Sequence, residues 1–312
     1  MKSPVLLLVY NRPETTAKVF RAIQQACPER LFINADGPRN GKEKEIEKIQ
    51  EVRNIVSKVD WPCEVKTRFL DENLGCRKGV SSAIDWFFSE VEEGIILEDD
   101  TLPSASFFHY AETLLEKYRE SEQVMHISGS SPQFGHWRGD GTYYASNYSH
   151  VWGWASWRRA WKHYQVDMRD YPKFKHEEKI NSIWPTTFEQ VWWSNFLDKF
   201  YLNMTDTWDY QWTWSIWNAG GCSITPNVNL IENIGFGSDA THTKNIENPY
   251  VNYKAAEIEK IIHPISLNVN LEADRFTSNI NYGYYPSILN QIKFNISRSL
   301  PPFIKNIKKK MS

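Results

Sequence analysis

Three consecutive carboxylates end a short apolar run within the first hundred residues. The run Gly94-Ile95-Ile96-Leu97 is followed by Glu98, Asp99 and Asp100. An apolar run of this length between polar residues predicts a strand that is buried on both faces of a sheet, with the acids at its carboxyl end. Ligands of open α/β sheets bind outside the carboxyl ends of the strands, so these acids suit a hard cation that carries a phosphorylated ligand. For an acidic triplet alone, a solvated turn is the alternative.

The elements that must position these acids follow an alternating pattern. Strand and helix signals alternate through residues 1–100, which predicts a mostly parallel sheet with crossover helices. In this part the pattern predicts strands over residues 5–10, 30–35, 64–69 and 94–97, and helices that follow Asn11, cover residues 42–58 and open at Asn73. Beyond Asp100 it predicts helices over residues 104–118, 188–201 and 208–218, and strands over 124–128 and 223–230.

Length, charge and cysteine use narrow the class of protein. The 312 residues carry a formal net charge of −2, which gives no electrostatic footprint for nucleic acid. Four cysteines without Cys-x-x-Cys spacing fit reduced cytosolic thiols better than a disulfide framework or a zinc site. No apolar run approaches the roughly 18 residues of a membrane span, and the first run is too short for a signal peptide. We therefore expect a cytoplasmic protein.

The end of the chain is basic. Residues 286–312 alternate apolar side chains with lysines and an arginine. Such a segment suits peripheral contact with an anionic membrane surface, and a solvated helix with a basic tail is the alternative.

Tryptophan is unusually frequent in the second half. Of fourteen tryptophans, eleven lie between Trp152 and Trp217. Aromatic rings pack well in cores, and they also stack on the apolar faces of sugars and bases. The crowding therefore suggests either a binding wall or a core rich in aromatic side chains.

The order of these motifs resembles the GT-A glycosyltransferases. It runs from a strand plus Asn11-Arg12-Pro13, through a strand plus Asp36-Gly37 and Asn73-x-Gly75, to the strand ending in Glu98-Asp99-Asp100. It resembles the N-acetylglucosaminyltransferase I type, whose metal motif is also Glu-Asp-Asp. It also resembles a related group of bacterial sugar transferases labelled hemolytic-protein-like. These share the later segments Trp152-Gly153-Trp154, Trp208-Asp209 and Asn233-Ile234-Gly235-Phe236-Gly237.

This resemblance implies a fold and a division of the chain. It implies a GT-A domain over residues 1–245 with a Rossmann-like, mostly parallel central sheet flanked by helices. Residues 1–128 would form the nucleotide-sugar half, residues 129–245 the acceptor half, and residues 246–312 a C-terminal extension.

Roles for individual residues follow from the same resemblance. Asp100 would bind Mn²⁺ or Mg²⁺ directly, and Glu98 and Asp99 would hold the ribose or water molecules around the metal. Asp36 would contact the nucleobase. Arg12, Asn73 and Arg77 would lie near the nucleotide, where the positive charge of Arg77 would offset the charge of the phosphates. An ordinary Asp-Gly turn and surface cations are the alternatives.

The general base is expected in the acceptor half. An inverting transferase needs a carboxylate that takes the proton of the acceptor hydroxyl. Asp209 stands where the resembled family carries this base in a Trp-Asp-Asp-Trp segment, although Tyr210-Gln211 replaces the second acid here. Asp206 is the second candidate for the base, and a helix cap is the alternative role of Asp209. Trp152, Trp154 and Trp208 are expected to bind the acceptor.

A later loop completes the predicted site. Glycines and small hydroxyl residues let a loop fold over phosphates and donate backbone N–H groups, which applies to Gly237 and Ser238. His242 would be an additional metal ligand or a diphosphate contact, and a structural histidine is the alternative.

These expectations lead to one preferred function. It is a metal-dependent inverting glycosyltransferase that moves a sugar from a nucleotide-diphosphate sugar, with UDP favoured, to a glycan or lipid-linked glycan of bacterial surface polysaccharide. A sugar-nucleotidyltransferase would show a glycine-rich signature after the first strand, which Tyr10-Asn11-Arg12-Pro13 lacks. A non-catalytic carbohydrate-binding protein would need no acidic triplet, and a glycoside hydrolase is a weaker fourth option.

Overall fold

The structure is a computed structural model that describes residues 1–236 and 249–282, apart from the side chain of Lys44. The basic segment 286–312 and the predicted loop residues Gly237, Ser238 and His242 lie outside the described residues.

The described residues form ten strands and ten helices, which alternate regularly only up to β4. The strands are β1 (Val5–Val9), β2 (Arg30–Ala35), β3 (Glu64–Phe69), β4 (Glu93–Glu98), β5 (Thr101–Pro103), β6 (Val124–Ser128), β7 (Tyr143–Ser146), β8 (Trp154–Trp157), β9 (Cys222–Pro226) and β10 (Ile231–Asn233). The helices are α1 (Pro13–Ala26), α2 (Glu43–Val56), α3 (Gly75–Glu90), α4 (Ala105–Lys117), α5 (Arg158–Trp161), α6 (Tyr171–His176), α7 (Ile180–Ile183), α8 (Thr187–Tyr201), α9 (Asp209–Asn218) and α10 (Leu271–Tyr282).

A central sheet of eight strands carries the fold. Its strand order is β3-β2-β1-β4-β8-β6-β9-β7, and β5 and β10 form a separate antiparallel pair. The first four strands are parallel to one another, whereas β8 is antiparallel to both of its neighbours. The predicted α/β class with a large central sheet flanked by helices is confirmed.

The side chains of the buried strands point alternately to the two faces of the sheet, and they form one hydrophobic core on each face. In β1, Val5, Leu7 and Val9 belong to one core, and Leu6 and Leu8 belong to the other. Helices α1, α2 and α4 pack on the first face, and α3, α8 and α9 pack on the second. Successive side chains of a strand point to opposite faces, so a strand covered on both sides is apolar throughout.

The strands β7 and β8 were not predicted from the sequence. Residues 130–160 are rich in Gly, Ser, Tyr and Trp, and they lack a clear period of two. Nevertheless β8 lies between β4 and β6, with Ile96 paired to Trp154 and Glu93 paired to Trp157. This strand joins the first half of the chain to the second within one sheet.

Residues 249–282 pack against the second half. In α10, Asp274 is buried, and its carboxylate accepts hydrogen bonds from Ser146 Oγ at 2.6 Å and from the Asn147 N–H at 3.0 Å. Gln133 Nε2 donates to the Ala273 carbonyl and to Thr277 Oγ1, both in the same helix. Helix α10 is therefore docked by buried polar contacts, whereas the proposed division at residue 245 stays a prediction.

No helix among the described residues is long and apolar enough to cross a membrane.

The buried Asp274 predicts a pH dependence of stability. Burial raises the pKa of Asp274 to about 7, so the folded protein holds this proton more tightly than the unfolded chain. The contribution of Asp274 to the free energy of unfolding should therefore fall as pH rises from about 4 to about 7, and then stay constant. Asp274→Asn should flatten this part of the pH profile, as measured by urea denaturation.

The exposed Asp167 provides the matched control, and Asp167→Asn should leave the profile unchanged. An unchanged profile in Asp274→Asn would show that Asp274 does not carry this proton.

Candidate active site

The carboxyl ends of β1, β2 and β4 meet at one edge of the sheet. Leu8 pairs with Asn34 on one side and with Glu98 on the other. The residues that follow these strands are therefore neighbours at this edge, among them Arg12 and Asp36. The chain runs from β1 outward to β3 and then returns to place β4 on the other side of β1. Such a switch point between two strands is where open α/β sheets bind ligands.

An ion-pair cluster occupies this switch point. Arg12 Nη1 lies 2.5 Å from Asp100 Oδ2 and 3.5 Å from Asp99 Oδ1. The buried carboxylate of Asp99 also accepts a hydrogen bond from the Tyr10 N–H at 3.1 Å. The Asn11-Arg12 turn after β1 is thus bound to the acidic triplet after β4.

Negative charge in this cluster exceeds the positive charge of Arg12. Burial, followed by the neighbouring carboxylates, raises the pKa of Glu98 to about 8. Burial and the charge of Asp100 raise the pKa of Asp99 to about 7, against the opposing effect of Arg12. The raised pKa values mean that the three carboxyl groups do not all ionise easily beside a single guanidinium, and an additional cation would favour their ionised forms.

Strand β10 brings the later loop to the same acids. The Ile234 N–H donates to the Asp100 carbonyl at 2.8 Å, and Asn233 pairs with Thr101 across the β5–β10 ladder. A Cβ on Gly235 would clash with the Asp100 carboxylate, so only glycine permits this approach. The predicted phosphate loop, with Gly237, Ser238 and His242, begins two residues after Gly235 and lies outside the described residues.

The donor atoms fit a divalent cation that is shared with a ligand. Among residues 1–236 and 249–282, no group of three His, Cys, Asp or Glu side chains is arranged to hold a metal ion. However, Mg²⁺ and similar ions usually combine one or two carboxylates with phosphate oxygens and water. Asp100 is partly exposed, and the Arg12 guanidinium beside it shows that the acids attract a cation. The set therefore suits a cation bound by Asp100 and a diphosphate.

Asp36 and Asn73 form a second polar group at this edge. Asn73 Nδ2 donates to Asp36 Oδ2 at 3.0 Å, and the Leu74 N–H donates to Asp36 Oδ1 at 3.0 Å. Burial raises the pKa of Asp36, against the effect of these backbone donors. The structure thus brings these two predicted nucleotide residues together, and Asp36 shapes the loop that opens α3. Contact with a base stays a prediction.

Arg77 connects α3 to the loop that precedes α9. Its Nε donates to the Thr207 carbonyl at 3.1 Å, and its two terminal nitrogens donate to Asn203 Oδ1 and to the Thr205 carbonyl. This guanidinium holds residues 203–207 in place, and its predicted role in offsetting phosphate charge stays a prediction. The sequence offered no motif for this loop contact.

The same loop distinguishes the two candidate bases. Asp206 Oδ1 accepts a hydrogen bond from the Arg77 N–H at 3.2 Å, so Asp206 caps the first turn of α3. Asp209 is the first residue of α9, and its Oδ1 accepts a hydrogen bond from Thr207 Oγ1. The geometry therefore gives Asp206 a structural contact with α3, and the choice of Asp209 as the base stays a prediction.

The charge of Asp209 acts on one acid of the triplet, Glu98, and contributes to its raised pKa. It also contributes, after burial and Glu98, to raising the pKa of Cys76 to about 12. The Cys76 thiol therefore lies among carboxylates from both halves, and no sequence motif pointed to it. The predicted metal acids and the predicted base thus converge.

Two of the three tryptophans predicted to bind the acceptor are core residues. Trp154 is 0% exposed and Trp208 is 3% exposed, and their rings stack with centroids 5.7 Å apart. Both also contact Trp161 in the core below α9. No ring face of Trp154 or Trp208 is open to an acceptor, so the prediction for these two residues is wrong. Both side chains are buried in the hydrophobic core.

Trp152 is the exception, because it is half-buried at the wall of a cavity beside Asp209. The cavity has a volume of about 290 Å³. Its walls come from the segments around Ser130 and Tyr148, from α8 and α9, from Tyr250 and from the last turn of α10. Sequence reasoning missed Ser149, His150, Thr213, Tyr250 and Asn281 here, since no motif marks them.

A buried histidine connects α9 to this wall. Trp212 Nε1 donates to His126 Nδ1 at 3.1 Å, and His126 Nε2 lies 3.1 Å from the His150 carbonyl. Burial lowers the pKa of His126 to about 3, so the ring is neutral and its Nε2–H donates to that carbonyl. The helix that carries Asp209 is thereby fixed to the loop that lines the cavity.

Comparison with known proteins shows similarity to solved structures only. No protein-family model matches the chain, and no curated protein matches it. The chain is similar to UDP-glucose pyrophosphorylase complexed with UDP-glucose, with 12% identity, coverage of 46% of this chain and 67% of that chain, and a TM-score of 0.26.

Two further likenesses are of the same kind. The 4-diphosphocytidyl-2C-methyl-D-erythritol synthase from Anaerococcus prevotii shows 8% identity, coverage of 63% of this chain and 99% of that chain, and a TM-score of 0.34. Mouse xyloside xylosyltransferase 1 in its apo form shows 11% identity, coverage of 69% and 81%, and a TM-score of 0.32. At these identities and TM-scores the likenesses assign no function.

The contacts of Arg77 predict its effect on the loop before α9. Arg77→Ala removes three donors to residues 203–207, so the amides of this loop should exchange hydrogen about tenfold faster or more, as a net hydrogen bond contributes about 1 kcal/mol. Hydrogen exchange followed by mass spectrometry measures this directly. Lys78→Ala, on the exposed side of the same helix, should leave the exchange unchanged. Equal protection in both variants would exclude this role of Arg77.

Proposed function

We propose that this chain is a metal-dependent, inverting glycosyltransferase of the GT-A type. It would move a sugar from a nucleotide-diphosphate sugar, with UDP favoured, to a glycan or lipid-linked glycan acceptor. The supporting observation is the convergence of two sets of carboxylates. Glu98, Asp99 and Asp100 lie at the switch point of the sheet, and Asp209 lies near Glu98 at the wall of a cavity.

The nucleotide would bind along the carboxyl edge of β1, β2 and β4. Asp36 and Asn73 stand at the side where the base is expected, and Arg12 and Asp100 stand where the diphosphate is expected. Asp100 would hold Mn²⁺ or Mg²⁺, and such an ion would supply neutralising charge for the departing nucleoside diphosphate. Glu98 and Asp99 hold the ribose or water molecules around this site in the proposal.

Asp209 would act on the acceptor. Its carboxylate takes the proton of the acceptor hydroxyl as that oxygen attacks the anomeric carbon of the donor sugar. Thr207 holds one oxygen of this carboxylate by a hydrogen bond, which fixes its orientation. Attack from the cavity side, opposite the diphosphate, inverts the anomeric centre.

The biological setting is part of the same proposal. We place the reaction in the synthesis of bacterial surface polysaccharide at the cytoplasmic face of the membrane, with the basic segment 286–312 as the peripheral contact. That segment lies outside the described residues, and the setting derives from the family resemblance.

Donor binding tests the first part of the proposal. A thermal-shift panel with UDP, GDP, CDP and dTDP, each with and without Mn²⁺, should show stabilisation by one nucleotide only when metal is present. A ligand at 100 times its Kd stabilises the native state by about 2.7 kcal/mol. Asp100→Asn should remove this stabilisation, while the exposed control Asp167→Asn keeps it. Indifference to every nucleotide and metal pair would contradict the proposal.

Turnover tests the second part. Asp209→Asn should keep metal-dependent nucleotide binding and lower kcat by about 10² to 10⁴, because a positioned general base contributes a factor of that size. Asp206→Asn, which alters the cap of α3 without removing the base, should lower kcat much less. Transfer is measured by the release of nucleoside diphosphate.

Either of two results would remove Asp209 from this role. One is near-normal turnover in Asp209→Asn. The other is a product whose anomeric configuration, measured by proton NMR, equals that of the donor sugar.

A further inference from the structure

One histidine at the wall of the cavity lacks a hydrogen-bond partner for its ring. His150 lines this cavity, and the residue is partly exposed there. Its Nε2 is nevertheless buried, and no hydrogen-bond partner for this atom lies within residues 1–236 or 249–282. Most buried polar atoms in proteins are bonded, because an unmade hydrogen bond costs the full desolvation of the group. An exception in a cavity wall indicates a group that a ligand completes.

The backbone of His150 is held on both sides. The His150 N–H donates to Ser128 Oγ at 3.1 Å, and the His150 carbonyl accepts from His126 Nε2 at 3.1 Å. The His150 ring stacks on Tyr148, with centroids 6.0 Å apart and planes inclined by 18°. The ring is therefore positioned before a ligand arrives, which lowers the entropic cost of binding.

The imidazole of His150 is neutral. Burial lowers the pKa of His150 to about 4, so the ring carries no charge near pH 7. A neutral imidazole offers one N–H donor and one nitrogen that accepts. A hydroxyl group both donates and accepts, so it can bond to either nitrogen without a change of charge.

A second polar atom of the same wall is also unpartnered. Trp193 lines the cavity, and the part of the chain that the structure describes holds no acceptor for its buried Nε1–H. The ring of Tyr148 contacts both residues, since its centroid lies 6.0 Å from that of His150 and 5.7 Å from that of Trp193. Two hydrogen-bonding groups that the fold leaves incomplete thus belong to one region of the wall.

Aromatic rings near these groups suit a sugar. Trp152 packs edge-on against Tyr250 with centroids 5.2 Å apart, and both line the cavity. The C–H groups of a sugar ring pack on such apolar surfaces. The cavity volume of about 290 Å³ lies at the lower end of the roughly 300–1,000 Å³ that is typical of ligand pockets, which suits a single ring.

From these observations we propose that His150 binds a hydroxyl group of the acceptor sugar and thereby determines which sugars the cavity accepts. The inference rests on the proposed function, in which the acceptor occupies this cavity, and it names a specificity-determining residue. The hydroxyl supplies the partner that the imidazole lacks in the fold. A deoxy sugar without this hydroxyl leaves the imidazole unpaired, so it binds more weakly.

Monodeoxy sugars test the inference by binding alone. The probes are the methyl glycosides of glucose, galactose and mannose, each compared with its monodeoxy analogues. Binding to the full chain is measured by saturation-transfer NMR and calorimetry, with Mn²⁺ and a saturating nucleoside diphosphate, so that the donor site is occupied. For at least one parent glycoside, one deoxy analogue should bind about tenfold more weakly, as expected for one buried hydrogen bond.

Variants assign this difference to the imidazole. His150→Phe keeps an aromatic ring but removes both nitrogens, so it should bind the parent and the deoxy analogue equally. His150→Asn keeps one donor and one acceptor, so it should retain part of the difference. His109→Phe replaces an exposed histidine of α4, outside the cavity, and should bind like the unmodified chain.

Stability distinguishes ligand binding from a structural role of His150. Because the fold leaves Nε2 unpaired, an apolar ring in its place should leave Tm unchanged or raise it, while the difference between parent and deoxy sugar is lost. Thermal unfolding without ligand measures this, and His150→Leu is the second variant if Phe does not fit. A fall in Tm of more than about 3 °C in both variants would assign His150 to the fold and overturn the inference.

The remaining outcomes separate this inference from the proposed function. The inference is overturned if every deoxy analogue binds like its parent, if His150→Phe keeps the difference, or if no glycoside binds. Each of these results counts even when nucleotide binding and Asp209→Asn behave as expected. If no nucleotide binds, the proposed function fails instead, while calorimetry with the glycosides still decides the role of His150.

Discussion

A buried cluster of like charges determines how this molecule is built around its site. Asp99 and Asp100 share the single guanidinium of Arg12, and Glu98 lies beside them with a raised pKa. Proteins seldom keep close carboxylates in a partly buried place unless a cation or a reaction uses them. The surrounding backbone supports the cluster through the Tyr10 N–H and through the close approach of β10. These contacts hold the ends of β1, β4 and β10 together at the site.

The second half of the chain completes this arrangement from the other side. Arg77 and Asp206 hold the loop before α9 against the start of α3, which places Asp209 near the acidic triplet. His126 then connects the same helix to the wall of the cavity. Each contact crosses between parts of the chain that are distant in sequence. The site is therefore a product of tertiary contacts more than of any local motif.

The pattern of apolar residues predicted the nucleotide half well. Strands at Arg30–Ala35 and Glu64–Phe69 have the bounds that the sequence indicated. The first is buried along most of its length, the second is a largely exposed edge strand, and residues that favour turns follow both. The family resemblance assigned Asp36, Asn73, Arg12 and the acidic triplet to the nucleotide, and the strand order of the structure explains why they lie at one edge. The carboxyl ends of parallel strands necessarily share an edge.

The acceptor half was less predictable for a physical reason. Short strands such as β7 and β8 are stabilised by pairing with neighbours, which no local pattern records. A tryptophan-rich sequence is typical both of a hydrophobic core and of a binding wall. The burial of Trp154 and Trp208 could therefore be learned only from the fold. Contacts such as those of Arg77 and His150 join segments that are far apart in the sequence. A local sequence pattern does not show which distant segments come together in the fold.

The position of β8 also bears on how this protein unfolds. Its backbone hydrogen bonds join β4 of the first half to β6 of the second, so the sheet runs without interruption through both. Two halves that share a ladder cannot open as separate bodies without breaking main-chain hydrogen bonds. Loss of packing around the aromatic core would thus propagate into the nucleotide edge. We therefore expect residues 1–128 and 129–236 to unfold together as one cooperative unit.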